Sequence, residues 1–298
     1  MPEAFGFFLL LMSNGILIGL MYSLIALGFV LVYKATDAIN FAQGEFVMIA
    51  GFVVVAFLVF YKAPLWLAIA VALAAMIAFG FGLERVMLRR LIGRPIIAVV
   101  MATIGLAAVL RGIGPLTWGA DTKPLALPIS DEPFVLGPLF VPPIQLLGAT
   151  VSLLFLALFG WFFLKSRKGI AMRAVADSQQ VAMAMGINVE RYFALAWAMT
   201  GVVSALGGIV WGNLLGVDVH LSLVGLKVFP VVILGGLDSI PGAILGGLIV
   251  GIVENVAAGY IDPYVGGGTK DFAPYVVMIV ALMVRPYGIF GKQIIERV

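Results

Sequence analysis

Few side chains here have the chemistry to handle a polar solute, and they fall in three short stretches. Asn40, Gln43 and Glu45 put two amides and a carboxylate on consecutive turns at the head of an apolar run. Lys227 stands in another such run, with Pro230 three residues on, and Glu254 lies beside Asn255 in a third. An ionised group at mid-bilayer costs about 2.5–3.5 kcal/mol on insertion scales, so residues of this kind face a bundle interior or a water-filled path. Each stretch also has a plain structural reading. Asp37 or Asn40 would cap a helix whose first turn welcomes the charge of Glu45. Lys227 would either snorkel to the interface or steer anionic solutes. Glu254 and Asn255 would either sit at a wet helix end or hydrogen-bond to a neighbouring helix.

Classical enzyme constellations are missing. With no Cys and one His, His220, the chain cannot build a thiolate or multi-His metal site or a disulfide, and no Ser-His-Asp candidate stands out. The sequence has no nucleotide-binding Gly-Lys-Ser/Thr loop and no HExxH motif. Any energy source must therefore come from elsewhere.

The elements that position these residues are set by lipid. From Phe5 to Tyr33 there is no charged residue, and similar runs recur almost to the C-terminus. Of 298 residues, 63% are hydrophobic and 11% charged, with a mean hydropathy of +1.16, which excludes an ordinary soluble domain. The expected fold is an all-α polytopic membrane protein, a single transmembrane domain over residues 1–298 with about eight to ten helices, some short or broken. Candidate spans are 7–32, 46–61, 65–83, 96–110, 144–164, 193–215, 223–234, 243–258 and 273–284.

Basic residues assign the sides. Arg85, Arg89, Arg90 and Arg94 crowd one connection, and Lys165, Arg167, Lys168, Arg173 and Arg191 crowd another, so both are expected in the cytoplasm. Residues 112–143, with Asp121, Asp131 and Glu132 against Lys123 and with many prolines, are expected as an extended outer loop. Counting from these anchors puts the N-terminus outside and the tail, with Lys292 and Arg297, inside. The net charge of +3 is small and sits in loops, so no nucleic-acid surface is expected. Gly235, Gly236, Pro241 and Gly242 predict a bend between two short helices. Gly242 with Gly246, and Gly247 with Gly251, predict close helix packing.

One cytoplasmic loop, 165–192, is too polar to span but too apolar to be a plain linker. Ala171, Ala174, Val175, Val181, Ala182 and Met185 recur near helical spacing, predicting a helix over 171–185 that Gly186 ends. Its methionines and alanines suit a groove in a protein partner.

The Ala171–Ser178 stretch followed by Ala184-Met185-Gly186-Ile187 resembles the coupling loop of ABC-transporter permeases of the branched-chain amino acid (Liv) family. The run from Asn14-Gly15 to Tyr33, leading into Ala38–Glu45, resembles the N-terminal pattern of the LivH-type permeases. Gly225–Phe229, Val231–Gly236 and Ser239–Ala243 resemble their Gly-rich C-terminal pattern. The resemblance implies a multi-pass permease of the bacterial cytoplasmic (inner) membrane that carries branched-chain or other amino acids, or related small amides or carboxylates. It implies a second, LivM-type permease, two ATP-binding subunits that hold the ATP and Mg, and an extracytoplasmic solute-binding protein; this chain would hold no cofactor itself. It also places Arg173, Ala174, Asp177, Ser178 and Gly186 in a coupling helix and makes Asn40, Gln43, Glu45 and Lys227 candidates for the pathway lining. Gln43 stands where the family often has His, and Asp238 where it has a small residue, which leaves the solute open. The alternative is a gradient-driven carrier or a channel for small polar solutes. A carrier predicts acids deep in spans and clear internal repetition, and a channel predicts a ring of polar residues.

Overall fold

The computed structural model describes residues 2–91, 94–130 and 132–291; Asp131, Lys292 and Arg297 lie outside the described residues. All nine expected spans are helical: α1 (Pro2–Thr36), α2 (Gln43–Val55), α3 (Leu65–Val86), α4 (Ile96–Trp118), α5 (Pro143–Lys165), α8 (Val189–Leu215), α9 (Leu223–Gly235), α10 (Ile240–Tyr260) and α12 (Thr269–Val284). Between them lie the short helices α6 (Arg167–Asp177), α7 (Gln179–Ala184) and α11 (Asp262–Val265). Among the described residues, seven helices are long and apolar enough to cross a bilayer. The protein is thus an all-α polytopic membrane protein.

The non-helical stretch of the 112–143 segment is shorter than expected, because residues 112–118 continue α4 as helix. Pro115 is tolerated there near the end of the helix, and Trp118 stacks on Phe52 with ring centroids 5.4 Å apart. What is left of the loop holds one hairpin, β1 (Phe134–Leu136) with β2 (Leu139–Val141).

Contacts divide the chain into two compact units. One comprises Met1–Ala26, Pro128–Leu153 and Leu226–Val298, the other Leu27–Leu127 and Leu154–Gly225. In the second unit, α3 and α8 form an extensive helix pair. Glycines allow it: a Cβ at Gly80 would strike the Trp197 carbonyl, and one at Gly201 the Met76 carbonyl. Gly208 likewise presses α8 onto the backbone of α2 at Val47 and Gly51. Lipid offers helices no hydrophobic drive to associate, so such close approach is what supplies the packing energy.

In the first unit, α10 uses its glycines on two faces. Gly242 and Gly246 meet the α9 backbone at Gly235 and Val231, while Gly247 and Gly251 meet α1 at Gly19 and Gly15. The Ser23 hydroxyl adds a hydrogen bond to the Gly19 carbonyl (2.8 Å) and approaches that of Ile244 (3.2 Å). The expected bend is present: Gly236 takes φ +105°, Ser239 caps α10 by accepting from the Gly242 amide, and Pro241 occupies its first turn.

At one end of the second unit a clasp ties the segment after α4 to the α8–α9 turn. Lys123 and Val217 exchange backbone hydrogen bonds, and the Thr122 hydroxyl donates to Asp218 at 2.6 Å. Burial alone would raise the Asp218 carboxyl. The Thr122 hydroxyl and the backbone N–H and ring of His220 outweigh it and hold it below the usual carboxylate range.

Gly201→Val is therefore expected to lower the thermal midpoint of the detergent-purified protein, by the order of 1–3 kcal/mol for an overpacked site or more where backbone must move. Gly82→Val, on α3 with nothing within 4 Å of its added Cβ, is expected to leave that midpoint in place. Equal midpoints for the two variants would refute the packing argument.

Candidate functional site

The segment between α1 and α2 turns back into the second unit instead of staying at its edge. Asp37 adopts φ +54°, a left-handed conformation that Asp tolerates better than most residues, and the chain reverses there. Ala38, Asn40 and Ala42 are then buried. The Phe41 amide approaches the Thr103 hydroxyl on α4 at 3.3 Å, and Gln43 packs against Gly28 of α1. Thr103 and Gly28 lie well inside their helices, roughly 10 Å from the nearest helix end at 1.5 Å rise per residue. Helix α2 accordingly begins at depth.

A chain of polar groups lines that beginning. Asn40 Nδ2 donates to Gln43 Oε1 at 3.3 Å, Gln43 Nε2 to Ser204 Oγ at 3.1 Å, and Ser204 Oγ to the Thr200 carbonyl at 2.9 Å. Thr200 Oγ1 reaches the Gly28 carbonyl at 3.3 Å, so the chain closes on α1. Asn40 and Gln43 are both fully buried. The N-cap of α2 is Ala42, with no side-chain cap; Asn40 instead accepts from the Ala42 amide at 3.1 Å. Neither Asp37 nor Asn40 is the helix cap that the sequence offered as one alternative.

Glu45, in the first turn of α2, is buried and pairs with Arg111 of α4, whose Nε donates at 3.1 Å and whose Nη2 makes a second, shorter contact to the same oxygen. Arg111 escaped sequence reasoning because the fourth span was drawn to end at Leu110. A buried carboxylate with no counter-charge nearby in sequence was the signal that a basic partner sat on another helix. Gly44 meets the Ser222 carbonyl and Gly225, so the start of α9 closes over the start of α2.

Lys227 is not near these groups in the bonding pattern. Its ammonium pairs with Asp271 of α12 at 2.7 Å and approaches Glu254 of α10 at 3.6 Å. Glu254 is 1% exposed, which removes the wet-helix-end reading and leaves the interhelical one. Tyr275 adds a hydroxyl bond to the Leu226 carbonyl at 3.0 Å. With two acids around it, Lys227 has little unshared charge for steering anions. Asn255 instead donates to the Gly251 carbonyl of its own helix at 2.8 Å.

In the 165–192 loop the sequence predicts one helix over 171–185, and the structure has two. Ser178, extended at φ −158°, ends α6 and caps α7 by accepting from the Val181 amide. A side-chain oxygen that bonds the backbone locally competes with helix continuation. Gly186 terminates α7 as expected, at φ +80°, with its amide bonded to Met183 and the Ile187 amide to Ala182, the Schellman arrangement.

The buried face also differs from the expected stripe. Gly169, Met172, Val175 and Ala182 face inward, whereas Val181 and Met185 are 61% and 78% exposed, together with Ile170 and Met183. The inward face sits on the ends of two spans, with Met172 and Val175 beside Leu31, Ala35 and Phe163. Gln179 Nε2 bonds the Ala35 carbonyl at 3.3 Å. Lys34 and Arg173 both lie over the Phe163 ring, at 5.7 and 5.9 Å from its centroid. Arg173, Asp177 and Gly186 lie on the exposed side, with Ala174 and Ser178 partly covered.

Residues 11–284 match the family described as the permease component of the branched-chain amino acid transport system. Similar curated proteins include the high-affinity branched-chain amino acid permease LivH of Escherichia coli, 33% identical, and BraD of Pseudomonas aeruginosa, 33% identical, each matched over the full length of both chains. A probable LivH of Methanocaldococcus jannaschii is 28% identical over 95% of this chain and 92% of that protein. Among solved structures, PsaBC from Streptococcus pneumoniae in complex with Fab shares the fold, with a TM-score of 0.53 over 93% of both chains at 14% identity. The chain belongs to the family of branched-chain amino acid transport system permease components.

Proposed function

We propose that this chain is one permease half of an ABC importer for branched-chain or other amino acids, or related small amides or carboxylates, and that α6 and α7 are where an ATP-binding subunit takes hold. The observation that carries the reading is the exposed apolar face of Ile170, Val181, Met183 and Met185, on two short helices whose other face is locked to the ends of α1 and α5. Exposed methionines on a helix too short to span suit a protein groove. In this reading Arg173, Ala174, Asp177, Ser178 and Gly186 form the coupling element. A LivM-type permease, two ATP-binding subunits and an extracytoplasmic solute-binding protein complete the machine. The N-terminus lies outside and the C-terminal tail in the cytoplasm, as the basic loops require.

Asn40, Gln43 and Glu45 supply the polar groups for the pathway. They stand at depth, where a solute leaving water needs hydrogen-bond partners, and the first turn of α2 directs its positive dipole end towards a carboxylate. Lys227 joins them only as a charge tied down by Asp271 and Glu254. Motion of α6 and α7 under ATP-driven closure would then switch packed helices between two arrangements.

Gly186→Val, which forces a branched residue into left-handed backbone at a cost of about 1–3 kcal/mol, is expected to uncouple ATP hydrolysis from uptake in reconstituted vesicles. Gly186→Asn, which tolerates that backbone, is expected to restore most coupling, and Asp177→Asn to weaken it. Normal coupling in Gly186→Val and Asp177→Asn together would remove the docking assignment. Purification from the native membrane is expected to bring ATP-binding subunits with the chain; solute accumulation by the chain alone would favour a gradient-driven carrier instead.

Glu45→Gln is expected to reduce uptake by about tenfold, the scale of losing one charge-assisted contact of roughly 1.4 kcal/mol or more, while the assembled complex is recovered in normal yield. Unchanged uptake with that yield would make the Glu45–Arg111 pair purely structural.

A further inference from the structure

Where α3 ends and α8 begins, a cavity of about 430 Å³ has walls of opposite character. Phe81, Tyr192 and Leu195 give it an apolar and aromatic side, and Arg89, Lys168 and Arg191 give it a basic rim. The three cations are not equivalent. Arg89 is held by Glu84, which is 1% exposed, with both of its carboxylate oxygens at 3.2 Å, and by Glu190, also at 3.2 Å. Lys168 and Arg191, both exposed, make no ion pair within 4 Å among the described residues. Two cations therefore stand on a framework fixed by a third.

We propose that this cavity binds one anionic phospholipid, its phosphodiester headgroup held by Lys168 and Arg191 and its acyl chains running along Phe81 and Leu195. The argument is one of complementary charge and position. Phe81 is 43% exposed on a spanning helix of which only 22% of the apolar window is buried inside the protein, so this wall faces lipid. Basic pockets at the ends of spanning helices meet headgroups, and an amphipathic ring such as Tyr192 sits at that level. A free inorganic anion would need the rim and make no use of the apolar wall. The site is separate from the polar chain at Gln43, and its occupancy is read without transport, so it stands or falls independently of the proposed uptake.

Native mass spectrometry of the full chain, with any subunits that copurify, tests this in equal phosphatidylglycerol and phosphatidylcholine. Wild type is expected to retain phosphatidylglycerol preferentially, and Lys168→Gln with Arg191→Gln to lose roughly tenfold or more of that retention. Arg90→Gln with Arg167→Gln, two charges removed from the same basic border outside the cavity lining, is expected to retain it. Equal loss in both double variants, equal retention of phosphatidylcholine, or displacement of the lipid by millimolar inorganic phosphate would each overturn the proposal. A photoreactive phosphatidylglycerol needs no variant: labelling of peptides containing Phe81 or Leu195 is expected in wild type, and absence of that labelling would overturn the proposal as well.

Discussion

In a bilayer no water stands ready to bond a stranded amide or carbonyl, and every polar group inside the bundle must find its partner within protein. This constraint accounts for the arrangement of the second unit. The segment from Asp37 to Ala42 carries backbone into the interior, and several of its polar groups are met by side chains there: Asn40 for the Ala42 amide, Thr103 for the Phe41 amide, and Gln43, itself held by Ser204, for the side-chain amide of Asn40. Irregular backbone at depth is tolerated where protein or a lined cavity receives it. Substituting an apolar residue at Gln43 would strand the Asn40 Nδ2 donor, at a desolvation cost of about 1–3 kcal/mol, while Ser204 keeps its bond to the Thr200 carbonyl.

Close backbone approach follows from the same constraint. Helices that gain nothing from excluding lipid associate through packing, and glycines make that packing dense. In α10 the two glycine rows point to different neighbours, so one helix joins α9 to α1 within the first unit. The charged cluster of Lys227, Glu254 and Asp271 sits among the same elements and joins α9, α10 and α12. Neutralising Lys227 from two sides lets a 13-residue apolar helix carry a charge.

The periodic and compositional features were legible, and the tertiary partners were not. Nine apolar runs became nine helices, the Gly235–Gly242 bend appeared where its breakers stood, and Gly186 ended its helix. Those are local properties of backbone and solvent. Arg111, Ser204 and Asp271 were missed because each lies far along the chain from the residue it serves, and a span boundary drawn one residue short hid the first of them. The break at Ser178 was misread for another reason. Helix periodicity continues through it, and only the hydroxyl's bond to the Val181 amide decides that the backbone turns. Which face of α6 and α7 is buried depends on Phe163 and Leu31, and a stripe computed from the loop alone has no access to them.

The polar chain and the loop helices are linked through α1. Gln179 and Met172 touch its final turns at Ala35 and Leu31, while Thr200 and Gln43 meet it at Gly28, one to two turns further in. A helix transmits displacement along its axis because its hydrogen bonds are intrinsic and its side chains are packed. In the proposed reading, movement of α6 and α7 against the end of α1 would reach the Gly28 carbonyl through that helix. There it would act on a hydrogen bond already long at 3.3 Å, and through Thr200 and Ser204 on the orientation of Gln43. The amide that stands deepest in the polar segment is thus joined to the exposed loop by one rigid element and two hydroxyls, without any charge having to move.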